Sequence, residues 1–352
     1  MNRLSIRVLV VDDSIIFRTK LQLSLSQDKE IEVVGSAINA KDAMGKIEEL
    51  NPDVVTLDVE MPGMNGIEFL KTLIPKRPVP VVVVSSLPIN ALDALDAGAV
   101  DFVKKPDASQ EAIKEFFIEL TEKVKVASKA KVKRMKPISE VKQASQQTSA
   151  LASMVNVKAS TKSVIAIGAS TGGTEAIIQV VKDFPANTPG VVIVQHMPPK
   201  FTDLYAQRLD KICKMRVKEA EDFDRVVPGQ IIIAAGEYHL TLKEDAKGYY
   251  IRSQRGEKVS GHCPSVDVMF DSVARVAGKN AVGVILTGMG ADGAKGIKFL
   301  KDTGAYTIGQ DKETCVVYGM PMEAYKIGGI SRQLPLDQIG SEVIYQINKT
   351  NK

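Results

Sequence analysis

Several things are scarce in this chain of 352 residues. It has no tryptophan, three cysteines, three histidines and only 5% aromatic residues. Cys213, Cys263 and Cys315 are odd in number and show no CxxC spacing, which argues against a disulfide or zinc framework and for reduced thiols in a cytoplasmic protein. Charge of one sign is scarce too, because 46 Lys and Arg stand against 42 Asp and Glu, a formal +4. Such a balance gives no argument for nucleic acid or for an anionic membrane. The longest stretch free of Asp, Glu, Lys and Arg, 184–199, and the nearly as long 78–92 are too short and too proline-broken to span a bilayer, so no membrane insertion is expected. The start MNRLSIRVLVVDD has a brief apolar run that ends in two aspartates, unlike a secretory signal.

The small excess of positive charge is local. Between Lys123 and Lys142 seven lysines and Arg134 face only Glu140, a net +7 that leaves −3 for the rest of the chain. From about Val126 to Thr161 no aromatic residue or strand-like run occurs, and the composition turns small and polar. This reads as a solvated linker whose start continues the preceding helix, not as a nucleic-acid arm. The expected division is therefore 1–125, a linker over 126–161, and a second domain over 162–352, as the length of the chain also suggests.

In residues 1–125 five Val- and Ile-rich runs, RVLVV, IEVVGSA, DVVTL, VPVVVV and DFVK, alternate with helix-period segments. Nearly continuous apolar strands in such alternation predict a parallel sheet covered on both faces. Polar residues collect where these strands end: Asp12 and Asp13 after the first, Asp58 after the third, Ser85 after the fourth and Lys105 after the fifth. Carboxylates converging on one crevice repel unless a cation sits among them, and oxygen ligands with open positions suit Mg²⁺. A nearby lysine and hydroxyl would suit an added phosphoryl group.

These residues, in the motifs VVDDS, LDVEMPGMNG, VVVSS and DFVKKP, give residues 5–125 a close resemblance to the receiver domain of two-component response regulators. The resemblance implies a flavodoxin-like, five-stranded parallel sheet. It also implies that Asp58 is the phosphoacceptor, served by a histidine kinase, and that Mg²⁺ is held by Asp13 and the Glu60 carbonyl with Asp12 assisting. Lys105 would contact the phosphoryl group, and Ser85 and Phe102 match the switch positions.

Residues 162–352 alternate strands and helices again, with two glycine-rich turns after strands. The first, Gly168-Ala169-Ser170-Thr171-Gly172-Gly173, fits G-x-S-x-G, which exposes a serine Oγ above a sheet edge beside free helix-start N–H groups. The second, Gly288 to Gly293, fits the dinucleotide fingerprint G-x-G-x-x-G, with Asp311 about 20 residues on. A receiver fused to a nucleotide-binding oxidoreductase is thus one reading, although Asp292 would sit in the turn meant for a diphosphate. A receiver fused to a transcription factor is another, but strand–helix alternation does not resemble a helix-turn-helix unit. The third reading is an acyl-transfer enzyme. Ser170 follows SVIAIGA, His196 follows GVVIVQ and Asp292 follows AVGVIL, so parallel strands would bring a nucleophile, a base and an orienting acid to one edge. His239 sits in strand-like alternation and reads as structural; His262, before a helix in SGHCPSVD, suits a cap or a substrate contact as well as it suits chemistry.

The motifs IGASTGG, VQHMPP, HCPSVD, LTGMGADG and QDKETCVVYGMP make this half similar to the catalytic domain of chemotaxis protein-glutamate methylesterases, and receiver, linker and esterase together match that family. The resemblance implies a doubly wound, mainly parallel α/β domain with Ser170 as nucleophile, His196 as base, Asp292 as its orienting acid, and Thr171 and Met289 as oxyanion donors. It implies hydrolysis of glutamate γ-methyl esters on chemoreceptors, with glutamine deamidation and no cofactor for the esterase step. The layout of receiver, linker and esterase leads to the expectation that the unphosphorylated receiver covers the Ser170 crevice and that phosphorylation of Asp58 opens it. Cys263 departs from the family, which has Arg at that place.

Overall fold

The computed structural model describes residues 5–107, 109–132 and 160–350. They form two separate units, whose boundary falls outside the described residues. The greater part of the expected linker, residues 133–159, lies there as well.

The first unit is built from β1 (Ile6–Val11), α1 (Ile15–Leu25), β2 (Ile31–Ala37), α2 (Ala40–Leu50), β3 (Val54–Asp58), α3 (Gly66–Lys76), β4 (Val81–Ser85), α4 (Pro88–Asp96), β5 (Asp101–Lys104) and α5 (Gln110–Ala127). The five strands are parallel in the order β2-β1-β3-β4-β5. Every residue of β3 and β4 is buried, which is why these runs carry no polar alternation. Ser14, Asn39, Asn65 and Ser109 accept from the third N–H beyond them and start α1, α2, α3 and α5. Helix α5 carries buried Val126 and Ala127, so the segment from Val126 begins as the end of a packed helix.

The second unit contains β6 (Val164–Ala169), α6 (Gly173–Val181), β7 (Val191–Gln195), α7 (Phe201–Ile212), β8 (Arg216–Glu219), β9 (Gln230–Ile233), β10 (Tyr238–Asp245), β11 (Gly248–Arg255) and α8 (Val266–Val276). There follow β12 (Ala281–Ile285), α9 (Ala294–Asp302), β13 (Tyr306–Gln310), α10 (Met320–Lys326), β14 (Arg332–Leu334) and α11 (Leu336–Thr350). Seven strands form one parallel sheet, β14-β13-β12-β6-β7-β9-β8. Among the described residues, antiparallel pairing of strands is confined to the ribbon β10–β11, which lies against α8. From β6 the chain builds outward through β7 on one side and later through β12 on the other. The strand order therefore reverses at β6, and the carboxyl ends of β6, β7 and β12 border the crevice where such sheets bind ligands.

Candidate active site and phosphoacceptor site

Ser170 is the first residue beyond β6, and His196 the first beyond β7. Their predecessors Ala169 and Gln195 are register partners, and His196 N donates to Ala169 O at 3.2 Å. The two side chains thus leave neighbouring strands side by side. Ser170 N donates to Thr287 O at 3.0 Å, which ties the serine turn to the loop after β12. In that loop, a Cβ on Gly288 would lie 2.7 Å from Ser170 Cβ, so glycine leaves the serine its room. Gln195 is buried, and its Nε2 donates to the carbonyls of both Ser170 and His196, at 3.0 and 3.3 Å.

Asp292, also in the loop after β12, is buried with its carboxylate fully engaged. Oδ2 lies 2.8 Å from His196 Nε2 and accepts from Val266 N at 2.8 Å. Oδ1 accepts from Ser265 Oγ at 2.7 Å and from Asp267 N at 2.9 Å. The carboxylate therefore sits on the N-terminus of α8, where open N–H groups and the helix dipole favour negative charge. Burial alone would raise its pKa, but the hydrogen bond and charge of His196, with the Asp267 and Val266 amides, hold it below the usual carboxylate range. An ionised Asp292 requires the proton of neutral His196 to be on Nε2. That leaves Nδ1 as the basic nitrogen, buried and with no hydrogen-bond partner among the described residues.

The oxyanion expectation meets two different environments. Met289 N has no partner among the described residues, whereas Thr171 is buried, with its carbonyl accepting from Thr287 Oγ1 at 3.0 Å. His239 is structural: Nδ1 accepts from Ser265 N at 3.2 Å and Nε2 lies 2.8 Å from Glu257 O. Cys263 is half-buried, and burial pushes its thiol pKa up.

The nucleotide reading fails on packing. A Cβ on Gly293, the last glycine of that fingerprint, would collide with Val266 at the start of α8, so this glycine makes room for the chain's own side chain. Asp292 faces α8, and Asp311 closes a local turn by accepting from the N and Oγ1 of Thr314 at 2.9 and 2.6 Å. Sequence reasoning missed Ser265, Gln195 and the ring of His262, which stacks on that of His196 with centroids 3.7 Å apart and planes 12° apart. The signal available was that an acid at a strand end needs donors, and SGHCPSVD opens a helix.

In the first unit, carboxylate oxygens of Asp12, Asp13 and Asp58 all lie within 4.8 Å of one another. Lys105 Nζ is 2.7 Å from Asp58 Oδ2 and 3.7 Å from Asp12 Oδ2. Asp58 Oδ1 accepts from Glu60 N at 3.0 Å. Burial first, then the charge of Asp58, pushes the Asp12 pKa up to about 6 against the pull of Lys105 and the Ser14 amide. Its buried Oδ2 has no hydrogen-bond partner among the described residues. An acidic cluster with an orphaned oxygen fits a hard divalent cation. Ser85 is buried, its Oγ engaged at 3.2 Å with both N and O of Leu87, and Phe102 is buried beneath the Lys123 ammonium.

The model of the CheB methylesterase family matches residues 165–343, and that of the response regulator receiver domain matches residues 8–116. The protein-glutamate methylesterase/protein-glutamine glutaminase 2 of Syntrophomonas wolfei is 50% identical, over 98% of each chain. The chain belongs to the CheB methylesterase family. The protein-glutamate methylesterase/protein-glutamine glutaminase of Salmonella typhimurium is 44% identical, over 97% of each chain. The crystal structure of the Thermotoga maritima CheB methylesterase catalytic domain is 40% identical, with a TM-score of 0.51, and covers 52% of this chain and 97% of its own. Among the described residues, no helix is long and apolar enough to cross a membrane.

Proposed function

We propose that the chain is a phosphorylation-regulated protein-glutamate methylesterase and glutaminase of chemotaxis adaptation, acting in the cytoplasm on methyl-accepting chemoreceptors. The observation that carries the reading is the His196–Asp292 pair, which leaves a buried, unpartnered Nδ1 on the strand end beside Ser170. In this reading His196 Nδ1 takes the Ser170 proton as Oγ attacks the glutamyl ester carbon. Asp292 holds the ring and stabilises its imidazolium form. The N–H groups of Met289 and Thr171 receive the developing oxyanion, each donor contributing about 3 kcal/mol. The carbon–methoxy bond then breaks, and His196 returns the proton to the departing methanol. Water, deprotonated by His196, next cleaves the acyl-serine and leaves a glutamate side chain. With a glutamine side chain the leaving group is ammonia.

The receiver restrains the esterase until a chemotaxis histidine kinase phosphorylates Asp58. Asp12, Asp13 and the Glu60 carbonyl would hold Mg²⁺, which when bound neutralises charge during phosphoryl transfer. Lys105 pairs with the phosphoryl oxygens, the Ser85 hydroxyl turns toward them from Leu87, and Phe102 follows it. The boundaries 1–125, 126–161 and 162–352 are those of receiver, linker and esterase.

Serine-directed fluorophosphonate labelling with peptide mapping tests the catalytic part. Modification at Ser170 is expected, and its loss in His196→Ala. No labelling of the folded wild type, or labelling elsewhere, would overturn the reading.

A further inference from the structure

We propose that His262 is a positioning residue that fixes the ring plane of His196, by a stack built into a dedicated turn. The inference rests on the esterase reading above. His196 is held by hydrogen bonding at Nε2 alone, because Nδ1 has no partner among the described residues. An imidazole tied at one nitrogen can tilt about that bond and carry its other nitrogen off line. The face of His262, 3.7 Å away and within 12° of parallel, blocks that tilt on one side. It also keeps water from the same face while the ring alternates between neutral and protonated forms.

The surroundings of His262 show how the contact is held. Val259 and His262 exchange both backbone hydrogen bonds, each 3.0 Å, across a two-residue turn. That turn has Ser260 at φ 53° and Gly261 at φ 85°, so both central residues are left-handed, as a tight type I′ connection demands. Ser260 Oγ donates to Asp267 Oδ2 at 3.0 Å. Asp267 N in turn donates to Asp292 Oδ1, and Asp292 binds His196. The path from Asp292 through Asp267, Ser260 and His262 to His196 thus closes on itself. One carboxylate fixes the base by its Nε2 and, through the turn, by its face.

The proposal separates ring contact from mere bulk or fold. With methyl-esterified receptor as substrate and the full chain as enzyme, kcat and KM are measured for wild type, His262→Ala and His262→Phe, with a thermal melt of each. The expected result is a three- to ten-fold loss of kcat in the alanine variant, as roughly befits one aromatic contact, with KM little changed. Phenylalanine, which keeps a flat face, restores kcat to near wild type. If His262→Phe does not fold, Ser260→Ala is used instead. It keeps the ring but frees the turn, and a smaller drop in kcat is expected. Equal kcat in the alanine and phenylalanine variants, or an unchanged kcat in Ser260→Ala where that variant is the one read, would overturn the proposal. Absence of methanol release by wild type would instead contradict the esterase reading itself.

Discussion

His196 meets Asp292 through Nε2, at 2.8 Å from Oδ2, so the nitrogen without a partner is Nδ1. Asp292→Asn keeps the shape of this contact but presents a neutral amide to the ring and to the three other donors of Ser265, Val266 and Asp267. The favoured tautomer is lost. The expected outcome is a fall in kcat of roughly 10³- to 10⁴-fold, with a lowered melting temperature, measured by methanol release and by calorimetry.

Ser265 stands one contact behind that acid. Its Oγ donates to Asp292 Oδ1 at 2.7 Å and also caps α8, in which Val268 N approaches it at 3.5 Å. Ser265→Ala should lower stability by about 1–2 kcal/mol and kcat by roughly ten-fold or more, as in other sites that lose an outer-shell hydrogen bond. Denaturant melts and steady-state assays on one preparation separate the two effects.

The pH dependence of the receiver unit follows from Asp12, whose pKa stands at about 6 against an ordinary 3.8. A raised carboxyl pKa means that the folded state binds the proton more tightly. Its contribution to stability is therefore full below about pH 4 and is lost as pH rises through about 6. Asp12→Asn removes the repulsion with Asp58 and should stabilise the unit more at about pH 8 than at about pH 5. Millimolar Mg²⁺ should raise the wild-type melting temperature more at the higher pH, where Asp12 has no proton to give up. Melting curves at both pH values, with and without Mg²⁺, check the sign.

Regulation is tested at Asp58 and Lys105, which lie 2.7 Å apart across the acidic crevice of the first unit. A small-molecule phosphodonor with Mg²⁺ should raise methanol release by wild type several-fold. Asp58→Asn should not respond, because it offers no carboxylate to phosphorylate. Lys105→Ala should take up phosphate yet respond weakly, since the contact that reads the phosphoryl group is gone.

Much of this site was legible in the strands. A buried parallel strand reads as an apolar run, and the polar residue that ends it must lie at the carboxyl edge, which placed Ser170, His196, Asp12 and Asp58. Glycine was less informative. Gly293 signals a close approach, but residue type alone cannot say whether a diphosphate or Val266 approaches, and the structure puts Val266 there. The roles of Ser265 and His262 were hidden for a related reason. They depend on the loop before α8 folding back over the ends of β7 and β12, a tertiary contact that no local period encodes.

The most direct test of the central claim is methanol release from methyl-esterified receptor by wild type and Ser170→Ala at matched, folded concentrations. The account predicts release by wild type and a loss of at least about a thousand-fold in the variant, because the nucleophile acts as one unit with His196 and Asp292. A Ser170→Ala rate within ten-fold of wild type, or a wild type that releases no methanol, would contradict it.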